Sequence, residues 1–330
     1  MGWQVHVVGS GPEREIPGAS EVYVLPFEKS FASPENFRTA AKLRRIIHAN
    51  KYELIICHTS LAAFFTRLAT LGIKGKSRLI NVVHGYLFDE DTSFVKAAIL
   101  KSAEYMMAGQ TDLVLTMNRW DYSWASSHRT AKEVRYIPGM GISERKCTDA
   151  PEQLERSAED FVLVYPAEFS KRKNQSMLIR SMCLLPNNTK LILPGTGVLL
   201  DECMALASEL GLEERVSFPG YVKDVFSLLK SADAAVSASR SEGLPFNVME
   251  AMLSGLPVVA SKVKGHTDLV EHGVNGYLFE YNDEEAFAAA VAELMADKQK
   301  AKSMAAAGRE KLRQFELENV LDKVMHEYLY

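Results

Sequence analysis

Cysteine is scarce: Cys57, Cys147, Cys183 and Cys203 are the only four in 330 residues, and no two stand three positions apart. That spacing holds no Cys-x-x-Cys motif and suggests neither a zinc knuckle nor a disulfide framework, which suits a reducing, cytoplasmic compartment. Long apolar runs are also missing. The best candidate, 61–73, is short and interrupted by Thr66, Arg67 and Thr70, so no membrane span is expected. No secretory leader is expected either, because Gly2, Trp3 and Gln4 run straight into a strand pattern. A dominant charge sign is absent: 38 basic residues face 42 acidic ones, for a net charge of −4. This argues against a general nucleic-acid binder. The charge is uneven, however. Residues 1–155 hold 19 basic and 17 acidic side chains, and residues 156–330 hold 19 and 25. The front half is therefore the more basic, which suits an anionic membrane surface.

What is present is an ordinary globular balance, 47% hydrophobic and 24% charged. The length exceeds what one core usually fills, so two domains are expected. Short β-branched runs alternate with helical patterns. In the front half they are 4–9, 22–26, 53–58, 79–84, 113–118 and 134–138. In the back half they are 161–167, 190–194, 216–219, 234–239, 257–262 and 276–280. Amphipathic stretches lie between them, at 174–185, 198–210, 247–254 and 284–296. Strand–helix alternation predicts parallel sheets covered on both faces. Six strands per half predict two doubly wound, Rossmann-like domains whose strand C-termini face a cleft. The polar stretch 147–160 reads as the linker, giving domains 1–150 and 151–316. A final helix at 317–329 could cross back to the front domain.

Ligands of such folds bind outside the carboxyl ends of the strands. The most informative loop is there: Ser239-Arg240-Ser241-Glu242-Gly243-Leu244-Pro245-Phe246-Asn247-Val248-Met249-Glu250. Gly243 permits close backbone approach, and Pro245 suits a first helical turn. Free N–H groups there favour a diphosphate. Glu242 and Glu250 could each accept two hydroxyl hydrogen bonds from a ribose or sugar ring. The plain alternative is a loop with two solvated glutamates. Gly9-Ser10-Gly11 suggests a dinucleotide turn, but Arg14 occupies the third glycine position, which sets an oxidoreductase aside.

Glu242 to Glu250 resembles the Glu-x7-Glu signature of retaining, GT-B-fold glycosyltransferases of family 4. Leu193-Pro194-Gly195-Thr196-Gly197 is similar to that family's Gly-x-Gly turn, and residues 210–221 and 251–260 resemble its neighbouring segments. Residues 82–88, 111–118 and 137–142 resemble its bacterial surface-polysaccharide branch. The resemblance implies an α/β, GT-B architecture, with an acceptor-side front domain and a nucleotide-sugar-binding back domain. It also implies sugar transfer from a nucleotide diphosphate sugar, a UDP-sugar being the expected donor, to a polyprenyl-diphosphate-linked or other glycan acceptor.

Residue by residue, the resemblance implies that Glu250 binds the ribose and Glu242 the transferred sugar. Backbone N–H groups of Gly243, Leu244 and Phe246 would hold the diphosphate, with Gly195 and Gly197 forming the adjacent turn. Lys173 would be the phosphate clamp, and Tyr221 and Val222 would border the base. His84, at a front-half strand end, would face the reacting carbon or acceptor. A cationic clamp would replace a metal, and neither metal nor other cofactor is expected. The leaving phosphate would accept the acceptor's proton. Lys171, Arg172 and Lys173 also read as a plain solvated loop, and His84 as a structural strand-end residue. Glu168 stands where the family usually has Arg. The likeness begins at the family's second strand, so the front domain is expected to be N-terminally shortened. The runner-up reading is a non-catalytic glycosyltransferase-like partner subunit or a truncated, inactive form.

Residues 36–52 hold Arg38, Lys42, Arg44, Arg45 and Lys51 with no acid, interleaved with Phe37, Leu43, Ile46 and Ile47. As a helix this is either a basic amphipathic element on the inner face of a membrane or an ordinary domain helix with a solvated basic side.

Overall fold

A computed structural model describes residues 2–28, 30–31, 33–73, 77–144 and 156–330. The chain forms two compact units, residues 1–136 and 137–330. The expected boundary near 150, and Cys147, lie outside the described residues.

In the first unit the order is β1 (His6–Gly9), β2 (Glu21–Val24), α1 (Pro34–Asn50), β3 (Leu54–His58), α2 (Ser60–Thr70) and β4 (Arg78–Val83). α3 (Phe94–Met107), β5 (Leu113–Thr116), α4 (Arg119–Ser127) and β6 (Glu133–Tyr136) follow. All six expected strands form, and all pairings are parallel. They build two sheets rather than one: β1–β2, and β3-β4-β5-β6. In a doubly wound sheet of order 3-2-1-4-5-6 a central strand joins the two wings. Among the described residues no strand pairs with both β1 and β3. The consequence is visible in burial. β4 is buried over five of its six residues, whereas Val5, Val8 and Val24 around the small sheet stay exposed. A cluster of Leu25, Leu43, Ile47 and Ala69 ties β2, α1 and α2 together instead.

α1 starts where Ser33 accepts from Glu35 N–H and Pro34 opens the first turn. It is a domain helix. Leu43 and Ile47 lie in the core, and Arg44 donates to Ala69 O at 2.9 Å and Leu71 O at 2.5 Å. Its principal apolar side is thus already covered, and lying on lipid through that side is corrected by the structure.

The second unit runs β7 (Phe161–Val164), α5 (Gln175–Ser181), β8 (Thr189–Ile192), α6 (Leu200–Glu209), β9 (Val216–Ser217) and α7 (Val225–Lys230). Next come β10 (Ala234–Ser237), α8 (Phe246–Leu253), β11 (Val258–Ser261), α9 (His266–Leu269) and β12 (Gly276–Phe279). α10 (Glu284–Ala296), α11 (Lys298–Leu312) and α12 (Leu317–Leu329) end the chain. Its six-stranded parallel sheet has the order β12-β11-β10-β7-β8-β9. Its core includes Leu163, Leu191, Val236, Val259 and Phe287. The topological switch lies between β7 and β10, so their following loops converge. α12 forms as expected. Just before it, Ile142 N–H donates to Phe315 O and Leu317 N–H to Ile142 O, both at 2.9 Å. Gly141, at φ 85°, packs on the Leu317 backbone, where a Cβ would meet Leu317 Cα at 2.7 Å.

Candidate functional site

The site is built on the two loops at the switch point. The β10 loop carries Glu242, which is buried, and two cations from the β7 loop converge on it. Arg172 Nη1 lies 2.7 Å from Glu242 Oε2, and Lys173 Nζ lies 2.5 Å from Oε1. Arg172 also ties the loops through the backbone, its carbonyl accepting from Arg240 N–H at 2.8 Å. Beneath them Tyr165, fully buried at the end of β7, reaches both loops. Its hydroxyl lies 2.7 Å from Ser239 Oγ and donates to Lys173 O at 3.2 Å. Burial alone would push the Glu242 carboxyl up. The charges of Lys173, then Arg172, outweigh it and hold Glu242 below its ordinary value.

α8 follows directly. Pro245 is its N-cap, φ −75° and ψ 115°, rather than a first-turn residue as expected, and it gives no side-chain cap. Phe246 opens the helix with its ring half exposed, and Glu250 is half-buried one turn on. Gly243 and Leu244 form the link. Their conformation depends on Gly265, at φ 82°. A Cβ there would meet Gly243 O at 2.7 Å and Glu242 O at 2.9 Å. Leu244 packs against Gly139, which accounts for a glycine in the segment 137–142.

Gly195 and Gly197, at φ 145° and 153°, lie against the backbone of residues 167–169. Cβ atoms would fall 2.0 Å from Ala167 O and 2.4 Å from Phe169 O. No side chain fits such an approach. Gly195 N–H donates to Gly220 O at 2.7 Å, which brings the exposed Tyr221 and half-buried Val222 beside this turn. Glu168 is exposed.

Sequence reasoning missed His266. It is fully buried at the start of α9, beyond β11. Nδ1 donates to Ser261 O at 2.8 Å, and Nε2 lies 3.0 Å from Ser237 Oγ. Burial pushes its pKa down to about 4, against the pull of Glu242. A strand-end search beyond β11 would have found it.

His84 belongs to the first unit, following β4. It is paired: His84 Nε2 lies 2.9 Å from His58 Nδ1 at the end of the neighbouring strand β3. Burial, then the His58 charge, lowers the His84 pKa to about 4, and burial lowers that of His58. Both rings are therefore neutral at pH 7. The next residues fix the pair's setting. Thr59 adopts φ 75° and ψ 150°, unusual for a non-glycine, and its N–H donates to Val82 O. Tyr86 N–H donates to Asp121 Oδ2, which Asn118 also holds. His58 was missed although its strand-end place is the same signal that singled out His84.

A sequence profile described as glycosyl transferases group 1 matches residues 148–311, and one described as glycosyltransferase family 4 matches residues 1–139. EpsD of Bacillus subtilis (strain 168) is 30% identical over 307 residues, spanning 89% of this chain and 80% of EpsD. The Escherichia coli UDP-Gal:alpha-D-GlcNAc-diphosphoundecaprenol alpha-1,3-galactosyltransferase is 23% identical over 280 residues, 80% of this chain and 72% of its own. Among solved structures, Anabaena Alr3699/HepE in complex with UDP superposes with a TM-score of 0.74 at 22% identity. That match covers 93% of this chain and 85% of the other.

Proposed function

From the premise that this chain belongs to the GT-B glycosyltransferases of family 4, we propose a retaining transfer from a UDP-sugar to a lipid-linked glycan acceptor. The observation that carries this is the convergence of Lys173 and Arg172 on buried Glu242, immediately before α8 and eight residues before Glu250. One guanidinium and one ammonium against the Glu242 carboxylate leave that cluster net positive at a helix N-terminus. That is the electrostatics a departing diphosphate needs, already in place before reaction. On this reading the diphosphate draws on Lys173, Arg172 and the N–H groups of Gly243, Leu244 and Phe246. Glu242 and Glu250 accept sugar and ribose hydroxyls, and Tyr221 and Val222 border the base. The cationic clamp does the work a divalent metal would otherwise do. The leaving phosphate takes the acceptor proton, so no protein nucleophile is required.

His84, neutral and held by His58, offers a hydrogen bond without charge and serves the acceptor side. The diphosphoundecaprenol in the Escherichia coli relative's name favours a polyprenyl-diphosphate-linked acceptor, and with it peripheral contact with the inner face of a membrane. The test is calorimetric binding across UDP-, GDP- and dTDP-sugars. Tight binding of the UDP-sugars supports the reading, binding of another class alone would overturn the donor, and no binding by any would sink the enzyme. One observation favours a second reading, a donor-binding but non-catalytic partner subunit: β1–β2 stand apart from the β3–β6 sheet. Donor binding without turnover on any lipid-linked glycan would select it.

A further inference from the structure

Beneath the Lys173–Glu242 pair runs a chain of hydrogen bonds through Tyr165, Ser237, Ser239, Ser261 and His266, all fully buried. His266 opens α9, and its ring reaches under the ends of β10 and β11. Nδ1 lies 2.8 Å from Ser261 O and 3.1 Å from Ser261 Oγ, and Nε2 lies 3.0 Å from Ser237 Oγ. Ser261 Oγ donates to Ser239 O at 2.5 Å. Ser239 Oγ is 2.7 Å from the Tyr165 hydroxyl, which donates to Lys173 O at 3.2 Å. The chain thus leads from α9 to the backbone of the residue proposed as phosphate clamp.

Each hydrogen on this chain has one place. A carbonyl only accepts, so Nδ1 carries the hydrogen it gives to Ser261 O. Burial keeps the ring neutral, and a neutral ring has a single N–H, so Nε2 accepts from the Ser237 hydroxyl. The Ser261 hydrogen is committed to Ser239 O and the Tyr165 hydrogen to Lys173 O. Ser239 therefore gives its own to the Tyr165 oxygen. Every donor is used once and every bond points toward Lys173, the sense in which successive hydrogen bonds polarise one another. The same turn also sets the other half of the pair. Gly265 packs on the backbone of Glu242 and Gly243 with no room for a Cβ, and its N–H donates to Asp268 Oδ2 at 3.3 Å. Two adjacent residues, 265 and 266, thus reach Glu242 through the backbone and Lys173 through the ring.

We propose that His266 is a positioning residue for the donor diphosphate: through Ser261, Ser239 and Tyr165 it sets the Lys173 loop against Glu242, without touching the ligand itself. This deepens the donor site proposed above and rests on that reading. A side chain locked from behind by buried hydrogen bonds meets a ligand without being reordered on binding.

The test is calorimetry of the full chain with UDP and with uridine, which lacks the diphosphate. His266→Ala should weaken UDP about tenfold, the scale of one misplaced charged hydrogen bond, and uridine less than about twofold. Should that variant not fold, Ser261→Ala, which removes only a hydroxyl, takes its place with the same expectation. His266→Asn, whose carboxamide N–H can stand in for Nδ1–H, should recover most of the loss. Tyr165→Phe cuts the same chain farther on, so the double variant His266→Ala/Tyr165→Phe should be no worse than the more damaging single one. Leu294→Ala, a change in the core on α10, controls for lost stability and should bind UDP as wild type. Equal losses for UDP and uridine, additive losses in the double variant, or a matching loss in Leu294→Ala would overturn the proposal. A wild type that binds no UDP would remove the donor reading, and two ligand-free readouts then decide this one. Nitrogen NMR at pH 7 should find His266 protonated at Nδ1 and bare at Nε2; the reverse tautomer overturns it. Arg240 N–H, which bonds Arg172 O across the two loops, should exchange faster in His266→Ala and near the wild-type rate in His266→Asn. Unchanged exchange in His266→Ala overturns it as well.

Discussion

Lys173 and Glu242 are 69 residues apart in sequence and 2.5 Å apart in space, joined through the loops after β7 and β10. A buried carboxylate thus sets the position of the cation proposed to meet the donor phosphate. Lys173→Ala should weaken nucleoside diphosphate binding by about 1.5–3 kcal/mol, the range for charged hydrogen bonds, and nucleoside binding by much less. Calorimetry with the two ligands checks it. Equal losses would place the clamp elsewhere.

The two glutamates should separate by ligand. Glu250→Ala should weaken nucleotide and sugar-nucleotide alike, by roughly 1–3 kcal/mol. Glu242→Gln should weaken the sugar-nucleotide relative to the bare nucleotide and also reduce turnover. Unchanged affinity in Glu250→Ala removes that residue from the ribose.

His84→Ala should lower turnover strongly while leaving donor affinity nearly intact, the pattern of an interaction made late in reaction. Full turnover in the variant would mark the histidine as structural. The His58 contact gives an independent readout. With the His84 pKa held near 4 by burial and by His58, an NMR titration should show it neutral through pH 5. His58→Gln removes the like charge and should move that midpoint upward.

His266 predicts an acid sensitivity. Its pKa is lowered from about 6.5 in the unfolded chain to about 4 in the fold. Between those values the unfolded chain binds the extra proton. Stability therefore falls as pH drops through that window, by on the order of 3 kcal/mol at most. Glu242 acts in the same direction at lower pH: its folded value is depressed, so its contribution is lost on acidification. Urea unfolding from pH 7 to 4 should show the decline. His266→Asn should flatten the upper part of it, and an unchanged slope would remove the assignment.

Gly265→Ala should be costly for a stated reason. The new Cβ would meet backbone oxygens of Glu242 and Gly243, which cannot swing away like a side-chain end, and φ 82° is strained for alanine. Loss of about 1–3 kcal/mol in thermal unfolding, together with weaker donor binding, is expected. A variant with wild-type donor affinity would show that the loop can shift without harm.

Much of this molecule is local in origin and so could be read along the chain. Strands alternate with amphipathic helices because parallel pairing needs a crossover of a dozen residues, and that period is written in the β-branched runs. Each of the twelve runs became a strand, and the last helix spans Leu317–Leu329 as its pattern predicts. The loop from Ser239 to Glu250 was legible because Gly243 and Pro245 punctuate it and the glutamates are eight apart. What lay beyond the sequence was pairing between distant segments. Two adjacent basic residues read equally as clamp or solvated loop until folding set both against Glu242. His58 drew no notice until β3 and β4 paired in parallel and brought its ring to His84. The division of the first unit's strands into two sheets depends on which edges find partners, and strand patterns do not encode that. The apolar residues of α1 and α3 look alike in sequence. Only tertiary packing decided that Leu43 and Ile47 would enter a core while Val95 and Ile99 stayed in water, because burial depends on what the rest of the chain places opposite each helix.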